Sequence, residues 1–219
     1  PPPPPFSSRR RHTRYRRSSR GLGDVYKRQV ERADPREGET VVISGIGAIG
    51  AGALAYVAAV KPVAEFVALV TTPERAAIAR ELGAAAAIDA TATDAAAELR
   101  DRTAGVGPDH YLDFTGVTAS VDLAFEAIAP GGRITLYGVY RERATVDWNT
   151  VAEFKELEIR GGHRAPTEFG LALDLLADRR VDGRRLVTAS YPLAEVRSAL
   201  EESRDEALMT LKTILRPNA

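Results

Sequence analysis

The chain has no cysteine, one methionine, one tryptophan and only 6% aromatic residues in 219. Without cysteine there can be no disulfide and no thiolate metal ligand. Histidine is almost as scarce: His12, His110 and His163 stand far apart, and no His/Asp/Glu spacing resembles a metal site. No apolar run reaches the roughly 18 residues that a membrane span needs. Net charge is absent too, with 30 Lys+Arg against 30 Asp+Glu. No internal repeat is present. These absences argue against a disulfide scaffold, a membrane protein and a wholly basic nucleic-acid binder, and fit a cytoplasmic location.

The zero net charge hides an asymmetry. Residues 1–29 carry nine Lys/Arg against the single acid Asp24, which is 9 − 1 = +8, while residues 30–219 hold 21 basic and 29 acidic residues, or −8. The first piece, a proline run followed by Arg and Ser, has almost nothing apolar to bury and is expected to be disordered. A basic arm that binds phosphates and an organelle transit segment are two readings of it. The string SSRRRHTR followed by GLGDVYKRQ resembles translated sequencing adapter, and the chain starts with Pro, so an artefact is the preferred reading. His12 has no assigned role.

What the chain does have is Thr40 to Gly52, TVVISGIGAIGAG. The β-branched run Thr40-Val41-Val42-Ile43 reads as a buried strand. It runs into Gly45-Ile46-Gly47-Ala48-Ile49-Gly50, a G-x-G-x-x-G, and an Ala-rich helix follows to about Val60. Strand, glycine turn and helix in that order make a dinucleotide phosphate site: Gly45 for the turn, Gly47 for close approach of a pyrophosphate, Gly50 for helix–strand packing. The helix start adds unpaired N–H groups and a positive dipole end.

Strands and helices then alternate. Phe66–Val70 is a strand. Thr72 caps a helix with Pro73 in its first turn, which stops at Gly83. Ala86–Asp89, Tyr111–Phe114 and Arg133–Tyr137 are further strands, separated by helices over 93–102 and 121–128. That alternation implies right-handed βαβ units and a doubly wound α/β parallel sheet, with ligands beyond the strands' carboxyl ends. Beyond it, residues 151–157, 167–178 and 193–203 read as helices, with short strands at 158–160 and 211–215.

GIGAIG, PERAAIARELGA, DFTG, APGGRITLYG, KELEIRGG and LKTIL, in that order, resemble the zinc-type medium-chain alcohol dehydrogenases, most closely the polyol and threonine dehydrogenase branch. The resemblance runs from about Val30 to Pro217. It implies a Rossmann dinucleotide-binding domain over 30–163 and, over 164–219, a C-terminal remnant of a second, missing catalytic domain. It implies hydride transfer between a nicotinamide and an alcohol or polyol and its carbonyl. Zinc and the proton relay are expected only in the missing N-terminal domain, so the isolated chain is expected to be inactive, with Leu171, Leu175 and Leu176 left uncovered. A small-molecule alcohol or carbonyl is the expected partner, with neither nucleic acid nor membrane; a homo-oligomer is left open by the sequence. The alternatives are a zinc-free quinone or enoyl reductase, whose usual glycine turn differs, and a non-catalytic nucleotide- or nucleic-acid-binding protein.

The resemblance also implies nicotinamide contacts at Thr115, Gly116 and the Val139 backbone, and a pyrophosphate contact from Lys212. Asp113 is expected to orient its turn or cap a backbone group. His110 and His163 are expected to be structural. NAD sites place an acid about 20 residues beyond the glycines. Val70 stands there instead, followed by Thr71, Thr72 and Arg75. The expected preference is therefore NADP over NAD.

Overall fold

The computed structural model describes residues 30–61, 63, 65–162, 169–203 and 210–217. The basic piece 1–29 with His12, the residue His163 and the expected 163/164 junction lie outside the described residues. In chain order the elements are β1 (Thr40–Ser44), α1 (Ala48–Val60), β2 (Glu65–Val70), α2 (Pro73–Glu81), β3 (Ala86–Asp89), α3 (Ala95–Asp101), β4 (His110–Asp113), α4 (Thr118–Ala127) and β5 (Arg133–Leu136). After a π-helical turn at Thr150–Phe154 come β6 (Glu158–Gly161), α5 (Phe169–Ala177), β7 (Ala189–Pro192), α6 (Val196–Glu202) and β8 (Thr213–Arg216).

Six strands form one sheet in the order β3-β2-β1-β4-β5-β6, every pair parallel. The chain winds outward from β1 to β3, returns to the centre at β4 and winds the other way, as a doubly wound sheet does. Alternation along β1 explains why helices cover both faces. Val41 and Ile43 join Leu54 and Val57 of α1 and Ala79 of α2 in one core. Val42 joins Leu99 of α3 and Ala124 and Ala127 of α4 in the other.

Local chemistry sets the element ends. The Thr72 hydroxyl accepts the Arg75 amide at 3.3 Å and Pro73 opens α2, as its sequence predicts. Gly83 ends that helix at φ +108°. Lys155 donates its ammonium to the carbonyls of Phe125, Glu126 and Ile128 at 2.7, 3.1 and 2.8 Å, closing the C-terminal end of α4.

Four expectations are corrected. The strand at 111–114 begins and ends one residue earlier, because His110 pairs with Val41 and Arg133. The helix at 151–157 is a five-residue π-helical turn capped at Lys155. The strand at 211–215 is β8, Thr213–Arg216, paired in parallel with β7, which no apolar run announced. Leu175 is not left uncovered: it is buried with Leu186 and Leu211 in the core beneath α1, while Leu176 is 41% exposed.

Candidate functional site

The sheet's winding reverses between β1 and β4, so the turns after these strands diverge and leave a crevice at their carboxyl ends. A cleft of about 370 Å³ occupies that place. Its floor is the glycine turn, with Gly45, Ile46 and Gly47. Val70, Thr71 and Arg75 form one wall, and Thr115 and Ser120 belong to the other.

The turn is built by close approach. A Cβ on Gly50 would lie 1.9 Å from the Gly45 carbonyl oxygen, a distance no side chain can accept. A Cβ on Gly47 would meet nothing within 4 Å. The first glycine–helix contact is therefore filled by backbone, and the middle position opens to the space where a ligand would lie. Gly47 is the N-cap of α1, has no side-chain cap, and no acidic residue stands in the first turn. The amides of residues 48–50 thus have no side-chain cap and form the positive dipole end of α1, an arrangement suited to an anion.

Arg75 reaches back from α2 and donates to the Ile46 carbonyl at 2.8 Å, which holds its guanidinium against the glycine turn. Val70 ends β2 beside it with 5% exposure. Asp89, at the end of β3, binds the Thr91 amide and hydroxyl at 2.8 and 2.7 Å, and these bonds hold its carboxyl below the usual range.

The other wall rests on Asp113, which is fully buried. Its carboxylate accepts the hydroxyls of Thr115, Ser120 and Tyr140 at 2.6, 2.7 and 2.5 Å, and more weakly the Thr115 and Gly116 amides, both at 3.3 Å. Ser120 also meets Ser44 at 2.8 Å and Tyr111 at 3.1 Å. Burial pushes the Tyr111 phenol up to about 12. Burial, then the bond to Asp113, raises Tyr140 as well. Both phenols stay protonated at any ordinary pH.

The cleft thus brings together Gly45, Gly47, Thr71, Arg75 and Thr115 of the residues singled out from sequence. Ala48, Ile49 and Gly50 follow in the first turn of α1, and Thr72 caps α2 one residue beyond the wall. Gly116 lies at φ +70° against the backbone of Val139, whose side chain is 89% exposed. Lys212 is not among the residues that line the cleft; it leads into β8, and its carbonyl accepts the Thr188 and Ala189 amides at 3.0 and 3.3 Å. His110 lies at the opposite end of β4, its Nε2 2.7 Å from the Glu39 carboxylate. Sequence reasoning missed Ser44, Ser120, Tyr111 and Tyr140. A serine closing a β-branched run was a signal for Ser44; nothing local marked Ser120, whose bond to Asp113 closes across a turn.

Comparison with known proteins agrees with this geometry. The family model for zinc-binding dehydrogenases matches residues 48–178. The chain belongs to the zinc-binding dehydrogenase family. It is 32% identical over 172 residues to the erythritol/L-threitol dehydrogenase of Mycolicibacterium smegmatis, covering 78% of this chain and 47% of that protein. The chain therefore spans about half the length of that curated relative. The fold matches an alcohol dehydrogenase from E. coli CFT073 complexed with NADH (22% identity, TM-score 0.81, covering 89% of this chain and 57% of that one). It also matches a zinc-binding dehydrogenase from Sinorhizobium meliloti 1021 bound to NADP (22% identity, TM-score 0.82, covering 90% and 57%).

The family implies two groups, and the residues treat them differently. The glycine turn fits a dinucleotide, because the space over Gly47 is open and the α1 amides have no side-chain partner. Zinc finds no such fit: among the described residues no group of three or more His, Cys, Asp or Glu could hold a metal. Among the described residues, no helix is long and apolar enough to cross a membrane.

Proposed function

We propose that this chain is the dinucleotide-binding part of an oxidoreductase that moves a hydride between a nicotinamide and an alcohol or polyol and its carbonyl, with NADP preferred over NAD. The observation that carries it is the glycine turn opening, at Gly47, into the cleft where the sheet's winding reverses. When bound, the nicotinamide supplies the hydride chemistry. The chain's own residues bind and orient it.

In this reading Gly45, Gly47 and the amides of Ala48, Ile49 and Gly50 cradle the pyrophosphate. Thr115, Gly116 and the Val139 backbone flank the nicotinamide. Lys212, which the resemblance assigns to the pyrophosphate, does not line the cleft and carries no weight in the reading. The related folds hold NADH in one case and NADP in another, so the choice falls to the end of β2. Val70 presents no carboxylate to accept ribose hydroxyls or to repel a 2′-phosphate. Thr71 and Arg75 line that wall, and Thr72, whose hydroxyl accepts the Arg75 amide, stands beside them. An Arg–phosphate pair is among the stronger charge-assisted contacts.

The test is calorimetric titration of NADPH and NADH into the purified chain and into Arg75→Ala. NADPH is expected to bind more tightly, and Arg75→Ala to lose roughly tenfold or more in NADPH affinity, the worth of one charge-assisted hydrogen bond. Tighter binding of NADH, or an unchanged NADPH affinity in Arg75→Ala, would overturn the assignment.

A further inference from the structure

Two loops leave the carboxyl ends of β4 and β5 and meet backbone to backbone. A Cβ on Gly138 would lie 2.1 Å from the Gly116 amide nitrogen, and one on Gly116 would lie 2.6 Å from the Val139 carbonyl oxygen. No side chain stands between them, and the Gly138 amide at the start of the second loop bonds the Asp113 carbonyl at 3.2 Å. Val139 itself points outward and anchors nothing.

A polar tie does. From the far side of that loop the Tyr140 phenol returns and donates to Asp113 Oδ2 at 2.5 Å. The other carboxylate oxygen takes the hydroxyls of Thr115 and Ser120, two residues that face the cleft. Asp113 is thus a buried hub with one arm into the β4 loop, one into α4 and one into the β5 loop. Among the described residues no salt bridge involves Asp113. Hydrogen-bond donors surround its carboxylate, which is how a buried charge is made tolerable. Burial and the bond to Asp113 keep the Tyr140 phenol a donor across the working pH range.

We propose that Tyr140 is a positioning residue: by donating to Asp113 it holds the 138–140 loop against the Thr115–Gly116 turn and so fixes the backbone that flanks the nicotinamide half of the cofactor. The proposal rests on the dinucleotide reading above. It assigns Tyr140 no contact with the adenosine half, which lies across the cleft at Thr71 and Arg75.

That separation gives the experiment. Tyr140→Phe removes one hydroxyl and leaves the ring. Affinities of NADPH, 2′,5′-ADP and ADP are measured for the 219-residue chain and the variant, together with the emission of bound NADPH excited in its nicotinamide band. The expected result is 2′,5′-ADP affinity within twofold of the parent, NADPH affinity lowered about fivefold or more, and weaker, more mobile nicotinamide emission. Asp113→Asn is expected to show the same split, with a lower unfolding temperature as well. Unchanged NADPH affinity and emission in Tyr140→Phe would overturn the proposal, and so would equal losses for NADPH and 2′,5′-ADP, which would mean a merely structural bond. Failure of the parent chain to bind NADPH, 2′,5′-ADP or ADP would overturn the dinucleotide reading itself, and the proposal with it.

Discussion

At the foot of β4, burial holds His110 below its ordinary 6.5, against the opposing pull of the Glu39 carboxylate. Its Nδ1 has no hydrogen-bond partner among the described residues. Asp109 favours its charged form and Arg133 disfavours it. The folded value lies below the unfolded one, so the unfolded chain takes up the proton first as pH falls. The stability is full above about 6.5 and is lost below it, down to the folded value. Glu39 adds to the same trend: although burial pushes the other way, the Arg36 amide and His110 hold it below 4.5, so its contribution is present above the unfolded value and is lost as pH falls through the folded one. Melting temperatures between pH 7.5 and 5 are expected to fall in the parent chain and to run flatter in His110→Gln; equal slopes would show that the proton goes elsewhere. The glycine turn offers a second pair of residue-level outcomes. Gly50→Ala drives a methyl into the Gly45 carbonyl and is expected to cost about 1–3 kcal/mol in denaturant unfolding, as overpacking does. Gly47→Ala meets open space, so its unfolding midpoint is expected to hold while dinucleotide affinity drops. A loss of both properties in Gly47→Ala would place that position in the fold rather than over the ligand.

Among the elements, α4 depends on a partner from outside itself. Lys155 binds three carbonyls at its C-terminal end, where no basic residue of the helix's own last turn stands. Lys155→Met keeps the length and removes the charge, and a loss of about 1–3 kcal/mol is expected from hydrogen bonds to a charged group; a midpoint unchanged in urea would count against it. β1 to β5 could be read in advance because β-branched runs and a repeating strand–helix spacing mark a buried parallel sheet. Thr72-Pro73 marked the start of α2 for an equally local reason. β7 could not be read: Ala-Ser-Tyr-Pro has neither alternation nor an apolar run, and only its pairing with β8 makes it a strand. The cleft divides the same way. Gly45, Gly47 and Arg75 announce themselves by spacing. The Asp113 hub does not, because its partners come from three segments that only the folded sheet brings together.

At the scale of the whole molecule, residues 1–29 hold nine Lys/Arg against one acid and almost nothing apolar. Removing them is expected to leave thermal unfolding and dinucleotide affinity unchanged, a result that scanning calorimetry and titration of a chain starting at Val30 would check. The C-terminal stretch is another matter. Leu175, Leu186 and Leu211 lie in the same core as Leu54 and Val57 of α1, although more than a hundred residues separate them along the chain. Such a shared core couples α1 and the C-terminal stretch in a single cooperative event. Heat or urea is then expected to melt sheet and C-terminal stretch together, with fluorescence and circular dichroism reporting coincident transitions. A ribosome would have to deliver Leu211 before α1 gained its full lining. Until then the nascent chain would carry an open apolar trench along α1, a target for chaperones and for other copies of itself.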